Sequence, residues 1–288
     1  MATLVDYDSA IYAIASACDN ATWNYRGRSW ESKAIAIKAL EAEGKDSKEL
    51  VRVTNPEPWD KVKYTLEKYT DDFINSLEDM FDVTILVSGD KGNFRYDLAT
   101  IFPYKANRIQ ELPHHFHAIK DYVVEHYEAK RVYHVEVDDA LGILYKEGDT
   151  LVHIDKDLDQ FPGLHYNPTT KKKYEVSERE GLVNLYSQLL MGDPTDNIVG
   201  IYGIGKSSSY LKKLKEMETE GEMFELAREL YYSRYGSYFP TFMLENMRLV
   251  YLIQKHIPLV IHNLMDDYSF YTQNWKEKIF IKEVSDGR

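Results

Sequence analysis

The chain has 288 residues, with 35 lysines and arginines against 47 aspartates and glutamates, for a formal net charge of −12. Hydrophobic residues at 44% supply a sizeable core and exclude a disordered chain, and the single cysteine, Cys18, excludes an internal disulfide framework. No apolar run approaches a membrane span, and the first residues lead to Asp6 without an apolar leader, so a soluble, cytoplasmic protein is expected. The negative total does not exclude a nucleic-acid partner. Acids gathered at one metal site stop repelling phosphates once cations bind.

In chain order, Thr3-Leu4-Val5 reads as a short buried strand ending at Asp6. A helix over residues 9–18 follows, rich in alanine and isoleucine. Residues 20–58 are mixed, with a helical patch near 32–42 and a breaker at Asn55-Pro56-Glu57-Pro58. Residues 60–81 predict an amphipathic helix, with Val62, Leu66, Tyr69, Phe73 and Leu77 three or four apart. Val83-Thr84-Ile85-Leu86-Val87 predicts a central strand that stops at Ser88-Gly89-Asp90. Residues 114–127 are helical, 131–135 form a strand ending at Glu136, and 150–154 form a strand ending at Asp155. Residues 166–174 make a polar hairpin, and the pattern from Glu178 onward is mostly helical. This alternation predicts an α/β fold with a mostly parallel central sheet and helices on both faces.

Four of these strands run into a carboxylate. In open α/β sheets ligands bind outside the carboxyl ends of the strands, so the acids are expected along one edge. Five clusters stand out: Asp6 with Asp8 nearby; Asp90; Glu136 with Asp138 and Asp139; Asp155 with Asp157 and Asp159; and Asp193 with Asp196. Taken singly, each is an ordinary solvated acid or helix cap, and Asp138 or Asp139 suits the start of a helix at Ala140. Gathered together, so many carboxylates repel one another unless hard divalent cations bind among them. Two such cations suit an in-line phosphoryl displacement.

Met191-Gly192-Asp193-Pro194-Thr195-Asp196-Asn197 leads into a Gly200-x-x-Gly203-x-Gly205-Lys206-Ser207 hairpin. Its backbone amides and lysine are suited to a phosphate contact, though a plain connection between helices reads similarly.

With these blocks in view, the chain resembles the bacteriophage 5′→3′ exonucleases of the flap endonuclease family, which includes the 5′ nuclease domain of bacterial DNA polymerase I. The resembling blocks are LVDYDSAIYAIASA (4–17), LVSGDKGNFRYDL (86–98), YKANR (104–108), VEVDDALGI (135–143), HIDKDLDQFPG (153–163) and LLMGDPTDNIVGIYGIGKSS (189–208). The resemblance implies that Asp6, Asp90, Glu136 and Asp138 hold a first metal, with Asp139 bridging, and that Asp155, Asp157, Asp193 and Asp196 hold a second. It implies two Mg²⁺ ions, replaceable by Mn²⁺, and a helix–hairpin–helix variant at 200–206 that grips DNA around a K⁺. Lys105 and Arg108 are implied to hold the scissile phosphate at the foot of a helical arch near 105–120. Lys91 and Arg95 are implied phosphate contacts, alongside Gly200, Gly203, Gly205, Lys206 and Ser207.

The implied domains are a nuclease core over 1–177 and a mostly helical DNA-binding region over 178–288. The implied activity is 5′→3′ exonuclease cleavage of duplex DNA by a monomer, extending to 5′ flaps and to RNA in RNA–DNA hybrids. Rival readings are a silent binder of branched DNA, a PIN-type ribonuclease and a phosphatase on a similar sheet. Asp8 departs from the family's first motif, and the arch segment carries His114, His115 and His117 but few basic residues. Tyr231, Tyr232, Tyr235 and Tyr238 read as packing in preference to base stacking.

Overall fold

A computed structural model describes residues 1–77, 80–108 and 111–282; the side chains of Asp90 and Lys91 lie outside the described residues. The chain begins with β1 (Thr3–Asp6), α1 (Asp8–Ala17), β2 (Asp19–Tyr25), β3 (Arg28–Trp30), α2 (Lys33–Ala42), β4 (Val51–Pro56) and α3 (Trp59–Asn75). It continues through β5 (Val83–Asn93), α4 (Arg95–Leu98), α5 (Phe116–His126), β6 (Lys130–His134), α6 (Val137–Leu144) and β7 (Thr150–Val152). Then come β8 (Gly163–Asn167), β9 (Lys172–Val176), α7 (Glu178–Met191), β10 (Gly192–Asp193), β11 (Ile198–Val199), α8 (Ser209–Leu214), α9 (Glu220–Tyr235) and α10 (Phe239–Val250). Among the described residues no helix is long and apolar enough to cross a membrane.

The chain divides into two compact units, one of Met1–Tyr7, Asp79–Gln110 and Ala129–Arg288, the other of Asp8–Glu78 and Glu111–Glu128. The first unit holds a six-stranded sheet in the order β6-β5-β1-β7-β8-β9. β1 pairs in parallel with both β5 and β7, β6 is parallel to β5, and β8 to β7. Only β9 is antiparallel, returning from β8 through the polar turn that the sequence predicts. The expected α/β, mostly parallel architecture is therefore present. Its consequence for chemistry is direct: β6, β5, β1 and β7 are neighbours, so their carboxyl ends share one edge.

Apolar strand residues explain the sheet. Leu4, Val5, Leu86, Val87, Leu151 and Val152 are all buried, as strands covered on both sides require. β5 is longer than expected. It runs past Ser88 to Asn93 and re-pairs with His134 after a register shift, so Asp90 falls within the strand. The helices after β9 close over a core that includes Leu189, Tyr231, Met243 and Met247. α7 and α9 each start in a reciprocal cap, Ser177 with Glu180 and Thr219 with Glu222.

The second unit contains an antiparallel sheet, β3-β2-β4, that the sequence reading left as a mixed stretch. Its hairpin turns on Arg26 and Gly27, both at positive φ (46° and 84°), where Arg-Gly stands in place of the usual Asn-Gly. α1 packs on α3 and α5, and buried Lys120 of α5 lies 3.3 Å from Asp8 at the start of α1. The carboxylate that departs from the family motif thus has a lysine partner inside this unit. His114 and His115 also serve this unit. The His114 amide donates to Asp19, and the His115 ring donates to the Glu57 carbonyl at 2.8 Å.

Candidate metal centre

The turn from β6 into α6 carries Glu136, Asp138 and Asp139, and the helical start sends the last two in different directions. Asp139 is fully buried. It takes a two-pronged ion pair from Arg95 (2.5 and 2.9 Å) and accepts the amides of Glu136 (3.1 Å) and Ile253 (3.0 Å). Arg95 spends its remaining donors on the carbonyls of Leu249 (2.9 Å) and Tyr251 (2.8 Å), and is itself 1% exposed.

This pair corrects two expectations. Asp139 does not bridge metals, because four donors already occupy its two oxygens. Arg95 is not a phosphate contact, because it is interior and its guanidinium is fully engaged. The sequence placed both beside the site; tertiary packing turned both inward.

Glu136 is one hub of a polar network. Its Oε1 accepts from Asn93 at 2.9 Å and pairs with Lys105, and its Oε2 accepts from the Tyr104 hydroxyl at 3.1 Å. Burial works to raise its carboxyl, but the charges of Arg95 and Lys105 outweigh burial and hold it below its ordinary value. Asp196 is the second hub of the same network. Its side chain accepts from Tyr104 at 2.7 Å and pairs with Lys105 at 3.4 Å and with Arg108, while its carbonyl accepts the Lys105 amide at 2.8 Å. Lys105 holds a left-handed backbone, φ 55°, a conformation a lysine adopts at some strain. The YKANR segment is thereby clamped to two of the expected metal ligands.

Asp138 and Asp157 are set instead among acids of their own sign. The Asp138 carboxyl is pushed well up by burial and by Asp6, Glu136 and Asp155. Asp157 is pushed up from 3.8 to about 7 by burial and by Asp155, Asp193 and Asp196, against a 2.5 Å hydrogen bond from Gln188. Asp155 acts on both groups. It is exposed and also accepts the Asp157 amide at 2.9 Å. Asp193 stands on β10 and caps the following turn through the Thr195 amide at 2.7 Å. Asp6, Glu136, Asp138, Asp155, Asp157, Asp193 and Asp196 thus form one acid edge with Asp155 between its two halves. The donor set is all carboxylate oxygen, which fits hard divalent cations such as Mg²⁺ or Mn²⁺.

The hairpin divides by position. Gly200 is interior: a Cβ there would stand 2.3 Å from the Gly192 amide, so this glycine serves close backbone packing of β10 and β11. Gly203 (φ 90°) and Gly205 have open space around them, and Lys206 and Ser207 are exposed, leaving the tip accessible. Gly200 therefore positions the hairpin and does not face a ligand. Farther on, Tyr231 is buried and bonds to the Leu189 carbonyl, and Tyr235 stacks on Phe242 with centroids 4.2 Å apart. Tyr232 and Tyr238 are exposed.

Three site residues were absent from the sequence reading: Tyr104, Asn93 and Gln188. Tyr104 and Asn93 lie inside the quoted motifs, but only their side-chain contacts reveal the role. Gln188 carries no signal beyond a polar residue in a buried helix.

No protein-family model matches the chain, and no curated protein does. Among solved structures, it is similar to a bacteriophage T5 D15 protein co-crystallized with metal ions, at 17% identity over 75% of this chain and 91% of that one, TM-score 0.46. It is also similar to a bacteriophage T5 D15 flap endonuclease variant in a pseudo-enzyme–product complex with DNA and metal ions, at 16% identity over 74% and 90%, TM-score 0.42. A T5 5′-exonuclease mutant is similar at 16% identity over 75% and 90%, TM-score 0.44.

Proposed function

We propose that the chain is a metal-dependent 5′ nuclease that hydrolyses phosphodiester bonds from the 5′ end of duplex DNA, with 5′ flaps and RNA–DNA hybrids as further substrates. The observation that carries this reading is Asp155, which accepts the Asp157 amide and whose charge acts on both Asp138 and Asp157, so that it links the two groups of acids. Asp6, Asp90, Glu136 and Asp138 would hold one Mg²⁺, and Asp155, Asp157, Asp193 and Asp196 the other, with Mn²⁺ able to replace either. Bound there, the two cations supply the Lewis acidity that in-line displacement at phosphorus needs.

The chain's own residues do the rest. Lys105 and Arg108 stand over Glu136 and Asp196 and hold the scissile phosphate against the acid edge. Tyr104 keeps its proton, because burial and Glu136 push its hydroxyl far up, and its single O–H, closest to Asp196, lies between the two carboxylates. Lys206, Ser207 and the amides at Gly203 and Gly205 grip the duplex backbone, with a K⁺ at the hairpin, and Lys91 adds a phosphate contact. The region 178–288 serves as the DNA-binding part of a cytoplasmic monomer.

The test is product release from a 5′-labelled duplex carrying a 5′ flap, in Mg²⁺, in Mn²⁺ and in chelator. Short labelled products that need metal support the reading, and their lengths separate exonuclease from flap cutting. Tight binding without cleavage in either metal replaces it with a silent binder of branched DNA.

A further inference from the structure

Two buried histidines face each other beside the segment that carries Asp155 and Asp157. His153 follows β7 and is 2% exposed; His165 lies in β8 and is 0% exposed. Nε2 of His153 is 2.7 Å from Nδ1 of His165. The outward nitrogens both meet carbonyls, Nδ1 of His153 at Asp155 (2.5 Å) and Nε2 of His165 at Phe161 (2.9 Å). A carbonyl oxygen only accepts, so each outward nitrogen carries its ring's hydrogen. In neutral rings the two facing nitrogens are then bare lone pairs. Two lone pairs at this distance repel unless an electropositive centre joins them.

Asp159 completes the group. Its Oδ1 is 4.0 Å from His165 Nδ1, and the three ligand atoms all lie within 4.8 Å of one another. The Tyr174 hydroxyl fixes this carboxylate at 2.8 Å, and the Tyr174 ring stacks on His165 with centroids 5.2 Å apart. Asp159 and Tyr174 also line a cavity of about 430 Å³, so the carboxylate side of the group is open to a small ion.

We propose that His153, His165 and Asp159 form a binding site for a Zn²⁺-class cation, distinct from the acid edge. Metal-ligating histidines ordinarily donate their other N–H to a carbonyl or carboxylate, and both rings here do so. Two imidazoles, one carboxylate and an open fourth position suit tetrahedral zinc, whereas Mg²⁺ prefers oxygen alone. Ligand atoms of a tetrahedral zinc lie about 3.3 Å apart, so the nitrogen pair opens by roughly 0.6 Å, and the Asp159 oxygen closes by about 0.7 Å on His165 and by up to about 1.5 Å on His153. The ion would tie β7 to β8 and steady the backbone at Asp155, which His153 already holds.

The experiment titrates Co²⁺, a visible surrogate for Zn²⁺, into the full chain with the acid edge filled by excess Mg²⁺. One equivalent is expected to bind with the intense visible band of four-coordinate cobalt, to be displaced by Zn²⁺, and to vanish in His165→Gln and Asp159→Asn. Should those variants fail to fold, the ¹⁵N-imidazole spectrum of the wild-type chain decides. Shifts of the two facing nitrogens on adding Zn²⁺ support the site. A proton shared between the rings that excess Zn²⁺ leaves in place overturns it, as does only the faint band of six-coordinate cobalt. The outcome is independent of nuclease activity, since a chain that binds Co²⁺ here and cuts no DNA keeps this site and loses the nuclease reading.

Discussion

Asp138 and Asp139 are adjacent in the chain but belong to two differently built regions. Asp139 lies in a buried anchor where Arg95 and two backbone amides neutralise it and the spare guanidinium donors reach Leu249 and Tyr251. Asp138 lies on the acid edge, where its listeners are Asp6, Glu136 and Asp155, all of its own sign. The anchor balances its charges and ties α4 and α6 to the chain after α10. The edge sets Asp138 and Asp157 among acids of their own sign, which costs stability in the absence of cations and provides for them when they bind.

This contrast can be broken from either side. The largest effect is expected at the anchor. Arg95→Ala leaves Asp139 charged, buried and without its partner, and should cost about 3–5 kcal/mol in a urea unfolding curve. A loss below about 1 kcal/mol would show that the anchor is not the interior ion pair described. At the edge the order reverses. Asp155→Ala and Asp157→Ala should abolish metal-dependent cleavage while the metal-free fold stays as stable as the wild type or becomes more so. Normal turnover by either variant would remove the acid edge from the chemistry.

A smaller effect follows from Asp157 in chelator. Its carboxyl is pushed up from 3.8 to about 7, so the folded chain holds a proton that the unfolded chain has lost between those values. Stability then falls as pH rises through that window, and Mg²⁺ should raise the melting temperature more at pH 8 than at pH 5. Asp157→Asn in chelator should lose this part of the pH dependence, and a variant whose melting temperature tracks the wild type from pH 5 to pH 8 would contradict it. The smallest effect is at the hairpin tip. Lys206→Ala should weaken duplex binding modestly and alike for all sequences, and reduce the salt slope of binding by about one. An unchanged slope would take Lys206 off the phosphate backbone.

The fold was largely legible because periodicity is a local signal. The β1, β5 and β7 runs are apolar and β-branched, β6 is a mixed run around Val132, and each leads toward an acid, so strand alternation already implied one shared edge. The β2–β4 sheet was not legible, since its strands are half exposed and its turn uses Arg26-Gly27. The clustering was legible by residue type: Glu136, Asp155, Asp157, Asp193 and Asp196 come together in one network of acids. Function of individual members was not. Arg95 and Asp139 share motifs with the site yet face the interior, and Gly200 serves packing while Gly203 and Gly205 stay open.

By itself, the sequence determined an α/β chain whose parallel strands deliver carboxylates to one edge, because strand pattern and motif spacing act over a few residues. Only the tertiary structure decided which acids keep their charge uncompensated. That depends on partners far along the chain, Leu249, Tyr251 and Ile253 for the Arg95–Asp139 anchor, and Tyr104 and Lys105 for Glu136 and Asp196. A carboxylate's role is set by the charges and donors within a few ångströms of it, and those distances exist only after folding.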